Sequence, residues 1–100
     1  MGQIAITLEC QVRQDALEES ETVLRMLAEV SAADVGNVFY VVGRSQADST
    51  IIRILELYES PEAIATHRAN PLVHEWAGRL KSLLVAPLAA HILNVVSDGH

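Results

Sequence analysis

Glu56 and Tyr58 stand two residues apart in the run Thr-Ile-Ile-Arg-Ile-Leu-Glu-Leu-Tyr that ends at Tyr58. On a strand that spacing points both side chains to one face, so a carboxylate and a phenol would share an otherwise apolar surface. A buried carboxylate without a partner costs several kcal/mol or takes up a proton instead. Glu56 therefore reads in one of two ways: as a structural ion pair with Arg44 or Arg53, or as a pocket acid that orients a base. His67 follows on the next element and is the side chain that moves protons near neutral pH without large tuning. It reads as a general base or as a packed helical histidine. Tyr40 carries a hydroxyl that wants a partner and suits a pocket mouth. Asn94 interrupts an apolar C-terminal run; its amide would bind a ligand or face solvent. A metal set of His67, His74 and Glu75 lacks a fixed third ligand, because Pro71 separates the two histidines, and no metal is expected. Cys10 is the lone cysteine, so an intramolecular disulfide and a cysteine-based zinc cage are both excluded; it reads as an inert, inward-facing thiol. No Walker loop, GxGxxG, GxSxG, HExxH or EF-hand loop occurs, so any chemistry must rest on this small constellation.

The elements that must position these residues follow from periodicity. Residues 3–12 alternate, with Ile4, Ile6, Leu8, Cys10 and Val12 on one side, as in a strand with one buried face. Residues 14–31 change to a helical stripe of Leu17, Val23, Leu24, Leu27 and Val30. Residues 33–37, Ala-Asp-Val-Gly-Asn, read as a connection. Residues 38–43 and 50–58 are β-branched and aromatic runs joined by the polar turn 46–49, which predicts an antiparallel hairpin. Phe39 and Tyr40 point to opposite faces of it. Ser60-Pro61-Glu62 is a helix start, with Ser as cap and Pro in the first position. That helix stops near Asn70, ahead of Pro71. A second helix carries Val73, Trp76, Ala77, Leu80, Leu83 and Leu84 inward, with Trp76 in the core, and runs on until Pro87. Residues 88–96 form a last strand. A single domain spans 1–97, with 98–100 as a disordered tail.

The order strand, helix, strand, strand, helix pair, strand is the ferredoxin-like split β-α-β arrangement of the α+β class: a four-stranded antiparallel sheet with its helices on one face. Ile52 and Ile54 lie on one face of the third strand, and Ile51, Leu55 and Leu57 on the other. The face without helices would then expose a broad apolar surface, which predicts a homodimer packed sheet against sheet. With 100 residues the chain removes about 60–70% of its unfolded surface from water, enough for one modest core. Half of it is apolar and the mean hydropathy is +0.23, which excludes a disordered or collagen-like chain. Thirteen acids against seven bases give a net charge of −6, the wrong sign for a nucleic-acid footprint. No basic segment precedes Arg13, and the longest apolar stretch, 83–96, is broken by Pro87, His91 and Asn94. Neither a signal peptide nor a membrane span is expected, which points to a cytoplasmic domain.

The span 36–96 resembles the antibiotic biosynthesis monooxygenase family. The residues that carry this are Gly36-Asn37-Val38-Phe39-Tyr40, Arg44-Ser45, Leu55-Glu56-Leu57-Tyr58-Glu59-Ser60, Glu62-Ala63, His67, Asn70-Pro71, the apolar helix and the closing strand after Pro87. The first strand and helix fit the same pattern without a sharp motif. The resemblance implies a dimeric α+β barrel. It implies a cofactor-free oxidation of a small hydroxylated aromatic, quinol- or anthrone-like, by molecular oxygen. It also implies roles: His67 as the base, Glu56 as its orienter or a second acid/base, and Tyr58 and Tyr40 as donors to the substrate; Asn94 joins the substrate-binding set on the strength of its own amide. The family's haem-degrading branch uses an Asn on the first strand, a Trp on the third and a His on the later helix. Here the first strand has no Asn, Tyr58 stands at the Trp position and Ala77 falls near the histidine's, so haem is not expected. The alternative on the same fold is a non-catalytic protein that binds a small ligand or a partner.

Overall fold

The computed structural model describes residues 2–99. Its elements are strand β1 (Ile4–Gln11), helix α1 (Leu17–Ala32) entered through a short 3-10 turn (Gln14–Ala16), strands β2 (Asn37–Arg44) and β3 (Ile51–Tyr58), helices α2 (Pro61–Ala69) and α3 (Pro71–Lys81), and strand β4 (Ala89–Asn94). The sheet order is β2-β3-β1-β4, antiparallel throughout, with the helices on one face. This is the ferredoxin-like α+β fold that the sequence predicts. Met1 and His100, the outer ends of the expected domain and tail, lie outside the described residues. Asp98 and Gly99 follow β4 without regular structure.

Alternation sets the two sides of β3. Ile52, Ile54, Glu56 and Tyr58 are buried on the helix side; on the open side Arg53 and Leu55 are exposed, Ile51 is half-buried and Leu57 is buried. The register sets Tyr40 and Ile6 beside Glu56, and Asn37 and Ile4 beside Tyr58. A bulge at Val38 shifts the β2 pairing between Asn37 and Phe39, and it sends Tyr40 to the helix side and Phe39 to the open side. The main core gathers Ile52, Ile54, Cys10 and Val12 from the sheet under Val23, Leu24 and Leu27 of α1 and Val73 and Leu80 of α3. A separate cluster of Ile6, Tyr58, Ala63 and Ile64 lies under α2.

Two sequence expectations change. The helix that starts at Pro71 ends at Lys81, well before Pro87. There the chain turns to bridge the end of β1, with Arg13 N–H donating to the Leu83 carbonyl and Val85 N–H to that of Gln11, both at 2.9 Å. Trp76 is half-buried rather than enclosed: one side meets the core, and the Arg79 guanidinium sits 4.4 Å above the ring, a cation–π contact. Strand β4 is exposed along its whole length, because the helices cover β2, β3 and β1 and stop short of that edge.

Candidate active site

The corner where β3 turns into α2 fixes the geometry. Ser60 caps α2, its hydroxyl accepting from Ala63 N–H at 3.2 Å, and Pro61 opens the first turn. Ala63 and His67, one turn apart, share the inward face of α2, and both are buried. Ala63 rests on Gly36. This glycine has φ +88°, and a Cβ there would collide with that of Ala63, so only glycine lets the connection come this close. Glu59 N–H donates to the Gly36 carbonyl at 2.9 Å. The connection from α1 to β2 is thus locked onto the β3–α2 corner, and Asp34 within it faces His67.

The result is a buried chain of polar groups. Asp34 Oδ2 is 2.9 Å from His67 Nδ1. A carboxylate only accepts, so Nδ1 carries the proton of this bond. On the other side of the ring, Nε2 is 3.6 Å from Glu56 Oε1, too long for a hydrogen bond and close enough for a proton to cross after a small shift. The Tyr58 hydroxyl donates to the same Oε1 at 2.5 Å. The His67 ring lies between the two phenols, its centroid 5.3 Å from that of Tyr58 and 6.2 Å from that of Tyr40. The side chains of His67, Asp34 and Glu56 are 11%, 7% and 3% exposed. Asn70 donates from Nδ2 to Asp34 Oδ1 at 2.7 Å, and its own Oδ1 accepts from Leu72 N–H as the cap of α3.

Burial governs the electrostatics. It raises the Glu56 carboxyl above its ordinary value of 4.5, against the lowering pull of the Tyr58 hydrogen bond and of the nearby His67 and Arg68 side chains. Burial likewise raises both phenols, helped by the Glu56 charge, so Tyr40 and Tyr58 stay neutral donors at pH 7. Ser31 of α1, fully buried, faces the Tyr40 hydroxyl. Its Oγ is the one buried side-chain polar atom without a hydrogen-bond partner among the described residues.

The structure thus brings Glu56, Tyr58, His67 and Tyr40 together on the helix side and leaves Asn94 apart. Asn94 is exposed on β4, and Ile4 lies between it and Tyr58. The expected ion pair of Glu56 with Arg44 or Arg53 does not form. Arg53 is on the opposite face, 2.7 Å from Glu9, as its odd step along β3 requires. Arg44 donates to the carbonyls of Ser49 and Leu17 and to Ser20 Oγ. His74 bonds the Arg68 carbonyl and Glu75 lies by Arg79, so neither meets His67. Among the described residues no three ligating side chains converge on a metal position. Cys10 is buried, and its burial raises the thiol. Sequence reasoning missed Asp34, which reads there as part of a connection. The surface cavities lie elsewhere: a groove of about 320 Å³ between α1 and β2 and a recess of about 540 Å³ over residues 81–88.

The fold is that of a small α+β domain with a ferredoxin-like sheet, and its helix side carries an acid–histidine–acid chain with two phenols. The family model for the antibiotic biosynthesis monooxygenases matches residues 3–79, and the chain belongs to that family. A solved structure from Nitrosomonas europaea, assigned to the same monooxygenases, superposes with a TM-score of 0.90 at 20% identity over 98% of this chain and 95% of its own. One from Mycobacterium tuberculosis gives 0.90 at 21% identity, over 99% of this chain and all of its own. A Caulobacter crescentus protein, also assigned to the family, gives 0.86 at 24% identity, over 96% and 92%. At these identities the likeness shows the fold. No curated protein matches the chain. No helix of the described residues is long and apolar enough to cross a membrane.

Proposed function

We propose that this protein is a cofactor-independent monooxygenase that oxidises a small hydroxylated aromatic, of the quinol or anthrone type, with molecular oxygen. The observation that carries the reading is the buried chain Asp34–His67–Glu56–Tyr58, added to family membership. His67, with Nδ1–H held by Asp34, offers the Nε2 lone pair as general base. Glu56 orients the ring or takes the proton on. Tyr40 donates to the oxyanion that develops on the substrate, and Tyr58 does so once its hydroxyl leaves Glu56. For an anthrone, Nε2 removes a proton from the ring CH2, and the carbanion passes one electron to O2. The radical pair joins to form a C–O bond, and the peroxide takes the proton back. Loss of the second C–H proton with O–O cleavage then gives the ketone and water. One O2 accepts the four electrons, one of its oxygens entering the product and the other leaving as water. A substrate ring can reach Nε2 only if α2 moves outward, and α2 packs on the sheet less than α1 does.

The same reading makes the working unit a two-fold dimer joined through the open face of the sheet. Phe39, Val41, Leu55 and Leu93 are 43–50% exposed on that face of the isolated chain, a contiguous patch of the kind that marks an interface. Leu55→Lys should convert a sedimenting dimer to a monomer; a wild type that sediments as a monomer overturns the dimer. Oxygen uptake by metal-stripped protein against naphthohydroquinones and anthrones tests the activity. The expected result is one O2 consumed per substrate, with one labelled oxygen atom in the product when 18O2 is supplied. No uptake above the protein-free rate with any of these substrates overturns it.

A further inference from the structure

We propose that Asp34 is a positioning residue that fixes the tautomer of His67, and that the capping amide of Asn70 determines how it does so. Three hydrogen bonds set the arrangement. Asn70 must turn Oδ1 toward Leu72 N–H to cap α3. That leaves Nδ2, a donor only, aimed at Asp34 Oδ1 at 2.7 Å. Asp34 spends one oxygen there and presents the other, Oδ2, to His67 Nδ1 at 2.9 Å. The neutral ring therefore keeps its proton on Nδ1 and its lone pair on Nε2, toward Glu56. The ring edge toward the sheet is faced by Glu56 and Tyr58 from β3 and by Tyr40 from β2, while Arg68 of α2 adds charge near Glu56. None of these reaches Nε2 within hydrogen-bond distance, so the closer Asp34 bond decides the tautomer. Helix capping, a local backbone requirement, is thereby coupled to the protonation pattern of a side chain on the preceding helix.

The inference deepens the proposed oxygenase reading, since a base at Nε2 is what that reaction needs, but its test does not depend on turnover. In Asp34→Asn the new amide keeps its oxygen on Asn70 Nδ2 and turns its own NH2 toward His67. Nδ1 then has to accept, and the ring proton moves to Nε2. The exchanged double variant Asp34→Asn/Asn70→Asp reverses this. The carboxylate introduced at position 70 still caps α3 and accepts from the amide introduced at position 34, whose oxygen is returned to His67 Nδ1–H. Long-range 1H–15N correlation of protein labelled in the histidine rings reads the tautomer directly, at a pH where the ring is neutral. The expected pattern is Nδ1–H in the wild type, Nε2–H in Asp34→Asn and Nδ1–H again in the exchanged pair. Wild-type His67 found as Nε2–H, or doubly protonated throughout the neutral range, overturns the proposal even if Asp34→Asn fails to fold. A folded Asp34→Asn that keeps Nδ1–H overturns it as well. Oxygen uptake then separates the two claims. With an active wild type, Asp34→Asn should lose about 10²-fold in kcat with KM little changed, and the exchanged pair should recover most of it. The tautomer pattern without any wild-type uptake would sink the oxygenase reading and keep this one.

Discussion

The helix-covered face of the sheet has two parts built on one strand and packed in opposite ways. Under α1 and α3, Ile52 and Ile54 meet Val23, Leu24, Leu27, Val73 and Leu80, and the partners are apolar on all sides. Further along β3, Glu56 and Tyr58 continue the same alternation under α2, where the neighbours are His67, Asp34 and Tyr40. Burial is as complete in the second part as in the first: Tyr58 is 0% and Glu56 3% exposed. A fold that needed only stability would fill both parts with Ile and Leu, because buried ionisable groups are neutral to costly against apolar residues of similar volume. The first part supplies the rigidity. The second holds a buried chain of polar groups beside a helix, α2, that packs less heavily on the sheet.

Substitutions on the two sides sharpen the contrast, beginning with the largest loss. Ile52→Ala, at a position with no exposure, should remove about 3–4 kcal/mol of stability in denaturant unfolding, the sum of lost transfer energy and the cavity left behind. Gly36→Ala should cost about 2–3 kcal/mol, because it puts a side chain at positive φ and against Ala63. It should also part Asp34 from His67, so that turnover falls further than stability accounts for. Ser60→Ala removes the cap of α2 and should cost about 1 kcal/mol. Smallest is a slope with pH. Burial raises the Glu56 carboxyl above 4.5, so between the unfolded and folded values the native state holds the extra proton, and its stability falls as pH rises through that window. Glu56→Gln abolishes this titration. Its stability relative to the wild type should therefore improve as pH rises above the ordinary carboxylate range in urea melts; a constant difference would place Glu56 in a more polar setting than the structure gives it.

The apolar part was legible in the sequence, since alternation in β1 and β3 and the stripes of α1 and α3 report which face is buried. So were Ser60 and Pro61, whose capping chemistry is local. Glu56, Tyr58, His67 and Tyr40 could be named as candidates from residue type and strand parity, and Arg53 followed the same parity to the opposite face. Asp34 could not. It lies in a connection, 33 residues from His67, and their meeting depends on the contact of Gly36 with Ala63, which no periodicity encodes. The available signal was an acid close to a glycine in a short connection, together with a histidine on the helix that this glycine must approach. Asn94 misled because an amide in an apolar run looks chosen for a ligand. The exposure of the whole of β4 arises from where the helices stop.

The claim that one part of this face holds the fold while the other holds the chemistry is tested most directly by oxygen uptake of the wild type, His67→Ala and Leu80→Ala, each measured below its own melting temperature. His67→Ala is expected to keep its fold and lose about 10²-fold or more in kcat. Leu80→Ala should lose about 2–4 kcal/mol of stability and keep the wild-type kcat. A His67→Ala variant that turns over at the wild-type rate would contradict the claim.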